Sequence, residues 1–94
     1  MAQARFIGAL SAEALDQLDI LGENIRLARR ARGWSMAEAA ERFSMSTATL
    51  QSIEKGDPKA SIGAYLAALD VMGIAEGVSS LGASHRDPIV RRSR

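Results

Sequence analysis

The sequence predicts an all-α protein, a compact bundle of about five short helices. Alanine, the strongest helix former, is abundant along the chain. Apolar residues recur three and four apart in five stretches, the period of a helix face. Sustained period-two alternation and Asn-Gly turns, the marks of strands and hairpins, are missing. A length of 94 residues suits one small domain.

The segment "SAEALDQLDILG" opens a helix with Ser11 as N-cap, Glu13 in the first turn and Leu15 and Leu18 on one face. Gly22 is expected to interrupt it. The first firm helix is expected over about Leu21–Arg32, with Leu21, Ile25 and Ala28 as its inner stripe and Gly33 as its stop. The second begins at Ser35, where "SMAE" forms a capping box with Glu38, and runs to about Arg42. The third runs from Ser46, a further cap, to Lys55, with Gly56 ending it. Pro58 forbids continuation through "GDPKAS". Ser61 caps a fourth helix over Ile62–Met72, with Ile62, Tyr65, Leu66 and Leu69 on one face and Gly73 at its end. A short fifth helix is expected over Ala75–Leu81. The tail "GASHRDPIVRRSR" reads as disordered in isolation. The expected organisation is an N-terminal extension over 1–19, a domain over 20–82 and a basic flexible tail over 83–94. The extension is acidic, which argues against contact with a polyanion; it either covers the bundle or meets a partner.

Net charge is only +1, but it is distributed unevenly: −3 over residues 1–23, +3 over 24–59, −2 over 60–82 and +3 over 83–94. A polyanion suits the middle segment. The third helix carries the sharper signal. Leu50 and Ile53 turn one side inward, which leaves Ser46, Thr47, Ala48, Gln51, Ser52 and Lys55 outside. An exposed helix normally carries Glu and Lys. Here the side chains are short and largely neutral, so the helix can sit deep in a groove. Thr47 and Ala48 offer methyl groups to thymine, and Gln51 and Ser52 offer hydrogen bonds to base edges. A carboxylate at this place would oppose phosphate. Arg30 and Lys55 are assigned to phosphates. Trp34 and Tyr65 are expected in the core, Trp34 against the third and fourth helices, and Tyr65 with its hydroxyl at the edge.

The stretch "LGENIRLARRARGWSMAEAAERFSMSTATLQSIEKGDP" resembles the helix-turn-helix of XRE-family, lambda-repressor-like DNA-binding proteins. The resemblance covers about residues 20–82. It implies a recognition helix over Ser46–Lys55, in which Thr47, Ala48 and Ser52 face base edges and Ser46 and Thr49 lie near phosphates or flanking bases. It also implies a bridging ion pair between Arg29 and Glu54. Met36 stands where the family commonly has a phosphate-gripping Gln, so backbone N–H groups at the helix start, beside Ser35, are expected to replace that contact. Ser44 stands at a turn position often filled by Gly, where a left-handed backbone carries strain.

Such a helix reads a palindrome when two copies are related by a two-fold axis. The dimer contact is placed on Val71, Ile74, Val78 and Leu81, which exceed what one small core needs. The connector "EKGDPKASIGAYLAALDVMGI" and the Asp-Pro in the basic tail resemble HipB-type antitoxins. That resemblance implies a homodimer that represses its own operon and binds a HipA-type serine/threonine kinase toxin. The alternative is a stand-alone dimeric repressor. The tail is either a partner-binding arm or a phosphate contact through Arg86, Arg91, Arg92 and Arg94.

Other classes are disfavoured. There is no cysteine, and the one histidine, His85, reads as a solvated tail residue, so no metal or cofactor is implied. No nucleophile-and-base constellation or Gly-rich phosphate loop is visible, so an enzyme is not expected. No apolar run approaches the ~20 residues of a membrane span. "FIGALSAEAL" is too short and interrupted for a signal peptide, and the expected location is the cytoplasm.

Overall fold

The computed structural model describes residues 5–93. Met1 to Ala4 of the expected extension, and Arg94 of the tail, lie outside the described residues. The described chain is all helical: α1 (Arg5–Ala9), α2 (Ala12–Ala31), α3 (Met36–Arg42), α4 (Thr47–Glu54), α5 (Ile62–Val71) and α6 (Pro88–Arg92), with 3-10 turns at Val78–Ser80 and Ser84–Arg86.

Four helices begin on a serine. Ser11, Ser35, Ser46 and Ser61 each accept a hydrogen bond from the N–H three residues on. At Ser35 the capping box is complete. The same four helices end alike. The bond from Trp34 N–H to the Arg29 carbonyl closes α2, and Met45 to Ala40, Asp57 to Ser52 and Ile74 to Leu69 close the other three. This closure needs a left-handed residue, which is Gly at 33, 56 and 73 but Ser44 after α3, at φ 57°. The α3–α4 turn therefore holds the one described non-glycine residue at positive φ.

Helix α4 is the centre of the bundle and packs on α2, α3 and α5. The core is Ile25, Ala39, Ala40, Phe43, Leu50, Ile53, Tyr65, Ala68, Leu69 and Met72. Small Ala39 and Ala40 on α3 let α4 approach closely. Tyr65 is buried, with its hydroxyl donating to the Asp57 carbonyl at 2.9 Å.

Several expectations are corrected. Gly22 does not interrupt a helix: α2 runs unbroken through it. A Cβ at Gly22 would lie 2.6 Å from the Ile53 carbonyl oxygen, and one at Gly56 would lie 2.7 Å from the Leu18 backbone. Both glycines serve the crossing of α2 over the end of α4, so Gly22 pays a propensity cost for contact. The fifth helix expected over Ala75–Leu81 is only the Val78–Ser80 turn, because Gly77 at φ 99° breaks the helical path. The tail is not irregular. Asp87 accepts from Ile89 N–H at 2.9 Å and Pro88 supplies a preset φ, which starts α6. Ile62 is not on the inner face; it is 67% exposed in the first turn of α5.

Candidate nucleic-acid interface

Helices α3 and α4, joined through Phe43, Ser44, Met45 and Ser46, form the motif that presents α4. Leu50 and Ile53 are fully buried and fix which side of α4 turns inward. Thr47, Ala48 and Gln51 are exposed on the opposite side, and Ser52 is half-buried. Two shallow grooves flank this face. One is bounded by Leu15, Asp19, Gln51, Lys55 and Pro58, the other by Thr49, Lys59, Ser61 and Ala64, with Ser52 and Asp57 lining both.

The first turn of α4 has no carboxylate. Its positive dipole end is therefore not neutralised locally, which favours an approaching anion. Ser46 Oγ accepts the Thr49 N–H and donates to Thr49 Oγ1, both at 3.0 Å. The two hydroxyls share one hydrogen bond, which leaves one hydroxyl hydrogen of the pair to donate outward. Ser35 has less to offer than its position suggests. Its oxygen accepts from Glu38 N–H and its own N–H donates to Glu38 Oε1 at 3.2 Å. Only its hydroxyl hydrogen remains, beside a carboxylate. Arg30 and Lys55 are exposed.

Arg29 fixes α4 against the rest of the motif. Its Nε donates to Glu54 Oε2 at 2.7 Å, its Nη2 to Glu54 Oε1 at 3.1 Å and its Nη1 to the Trp34 carbonyl at 2.9 Å. One guanidinium thus ties α2, the α2–α3 turn and the end of α4. The two side chains are 12% and 7% exposed, so the pair is largely shielded from water.

Trp34 is partly buried and packs against the core, as expected. Its ring meets Phe43, at the end of α3, edge to face at 6.1 Å. The guanidinium of Arg42 sits 4.4 Å above the Trp34 ring and that of Arg32 sits 5.8 Å from it. Arg32 also donates to the Met72 carbonyl at 3.1 Å, linking α2 to the end of α5. Sequence reasoning missed Arg32 and Arg42, since a long cation near one tryptophan has no spacing rule. The expected dimer residues divide: Val71, Ile74 and Leu81 are exposed, whereas Val78 is half-buried against its own core.

A family model for the helix-turn-helix domain matches residues 20–78, more than half of the chain. The chain belongs to the helix-turn-helix domain family. The match supports an XRE-like helix-turn-helix protein and a DNA-binding regulator as its class. No curated protein and no solved structure gives a significant match. The family match spans α3, α4 and α5 and leaves α1 and α6 outside it. Among the described residues, no cluster of His, Asp and Glu could hold a metal ion, and no helix is long and apolar enough to cross a membrane.

Proposed function

We propose that this helix-turn-helix protein is a sequence-specific, duplex-DNA-binding transcriptional repressor that lays α4 in the major groove. The observation that carries the reading is the exposed face of α4, made of short neutral side chains and held rigidly by Leu50, Ile53 and the Arg29–Glu54 clip. Thr47, Ala48, Gln51 and Ser52 read base edges. Arg30, Ser35, Ser46, Thr49 and Lys55 meet phosphates, the Ser46–Thr49 pair through its one free hydroxyl hydrogen. Two copies pair through the face that bears Val71, Ile74 and Leu81, with Val78 at its edge, and read a palindromic operator in the cytoplasm.

The finer reading is a HipB-type antitoxin that represses its own operon and binds a HipA-type serine/threonine kinase. It is supported by the resemblance carried in Asp57-Pro58 and Asp87-Pro88. Both pairs form the same turn, in which the Asp carboxylate accepts the N–H two residues on. The alternative is a stand-alone dimeric repressor.

The test is a mobility shift with the DNA upstream of the protein's own gene. Thr47→Glu is expected to abolish the shift while helical circular dichroism is unchanged. A retained shift would mean that α4 is not the reader. Co-purification of a kinase in fixed ratio from the native cell supports the antitoxin reading. Recovery of the protein alone, or with DNA only, favours the stand-alone repressor.

A further inference from the structure

We infer that the C-terminal arm of one copy is the cover for the apolar α5 face of a second copy, so that the dimer forms by exchange of α6. The inference rests on the dimeric reading above and names the segment that closes the interface.

Three observations lead to it. The first is that apolar side chains stand exposed both at the end of α5 and on α6, besides Phe6, Ile20, Leu27 and Ile62 elsewhere among the described residues. Val71, Ile74 and Leu81 are 48%, 40% and 71% exposed at the end of α5 and beyond it, and Ile89 and Val90 are 66% and 36% exposed on α6. The second is that the arm is turned by local hydrogen bonds and packs little on its own bundle. A run of turn bonds joins it to the bundle: Leu81 to Val78, Ala83 to Ser80, Arg86 to Ala83 and Asp87 to Ser84. Among the described residues, the only substantial partner of α6 is the Ser84–Arg86 turn beside it. An arm that packs little on its own bundle can satisfy its apolar residues on another.

The third is charge. The exposed end of α5 carries Asp70 and Glu76 and no basic residue from Ala60 to Gly82; the cation brought there from elsewhere, Arg32 of the α2 end, is engaged on the Met72 carbonyl. The arm ends in Arg91 and Arg92, in the last turn of α6 beside Ile89 and Val90. Docking Ile89 and Val90 on Val71 and Ile74 brings the arginines toward Asp70 and Glu76 of the other copy. Exchange in both directions gives a closed two-fold pair, in which the same two patches are used twice.

Sedimentation equilibrium on full-length chains tests this by charge reversal and mixing. The double variants Arg91→Glu with Arg92→Glu, and Asp70→Lys with Glu76→Lys, are each expected to weaken the dimer about tenfold or more, since like charges then face each other at both docking sites. Mixed in equal amounts, the two variants are expected to recover wild-type dimerisation as heterodimers, because each arm now meets a face of opposite sign. Far-ultraviolet circular dichroism checks that both remain folded. Ile89→Glu with Val90→Glu should weaken the dimer while the folded chain keeps its helical circular dichroism; the melting temperature should fall only as far as the lost association accounts for.

A wild-type dimer that survives all these changes overturns arm exchange and leaves the dimeric reading standing through another contact. Weakened variants that fail to recover on mixing also overturn it, since packing of the arm within one copy would behave that way. A wild-type chain that stays monomeric overturns the dimeric reading itself, and arm exchange with it.

Discussion

Arg29 concentrates three roles in one side chain. It meets Glu54 with two hydrogen bonds and holds the Trp34 carbonyl with a third. Because the pair is shielded, removing one partner leaves a charge with little water to solvate it. Glu54→Ala is expected to cost about 3 kcal/mol, read as a fall in Tm of more than about 10 °C for a domain this size. Replacing both, Arg29→Met with Glu54→Leu, should cost less than Glu54→Ala alone. A double variant less stable than Glu54→Ala would show that the Trp34 bond, not the ion pair, dominates. Tyr65 gives a pH-dependent counterpart. Burial, then the nearby Asp57 and Asp19 carboxylates, push its phenol above the usual value near 10. Below pH 10 both folded and unfolded chains keep the proton, and the contribution is fully present. Above it the unfolded chain ionises first, so stability falls as pH rises through the folded value. Tyr65→Phe should remove that alkaline slope in urea titrations, while costing about 1 kcal/mol at neutral pH through the lost bond to Asp57.

Helices α2 and α5 each contain a glycine, Gly22 in mid-helix and Gly63 in the first turn, and the two should respond oppositely to the same change. Helix propensity alone favours alanine at both by about 1 kcal/mol. At Gly63 a Cβ meets nothing nearer than Ser61 Oγ at 3.7 Å, so Gly63→Ala should raise stability by about 0.5–1 kcal/mol. At Gly22 the added carbon falls within 2.8 Å of the backbone of Ile53, Glu54 and Gly56. Backbone cannot swing aside as a side chain can, so Gly22→Ala should cost about 2 kcal/mol or more. It should also weaken DNA binding, because the end of α4 would shift. Thermal melts and mobility shifts of the two variants check both signs. Unchanged stability in Gly22→Ala would mean that α2 and α4 separate easily at their crossing.

The reading face of α4, free of carboxylates, lies within a basic segment of the sequence, with acidic segments before and after it. Affinity should then come largely from phosphate neutralisation, with selectivity from the α4 face. Arg30→Ala and Lys55→Ala are each expected to weaken binding to all duplexes alike and to reduce the salt slope by about 1. Fluorescence anisotropy across a salt series reads this directly. A variant that weakens one operator and spares other duplexes would reassign that residue to base reading.

The sequence by itself determined the helices whose ends are chemical. Serine caps, Gly stops and Pro58 are local, so the bounds of α3, α4 and α5 were legible, and so was the strain at Ser44. The motif was legible too, since spacing alone turns Leu50 and Ile53 inward and puts Ala48 and Gln51 outside, with Thr47 at the edge of that face. What only the tertiary structure decided is what depends on a second element. Gly22 reads as a break until α4 lies against it, and Trp34 takes its neighbours from Phe43, Arg32 and Arg42 across a turn. Ile62 sits in a periodic stripe, yet no element arrives to cover it. The tail helix follows from one capping carboxylate that composition averages away. Periodicity fixes which side of a helix is apolar, but only packing fixes whether anything meets it.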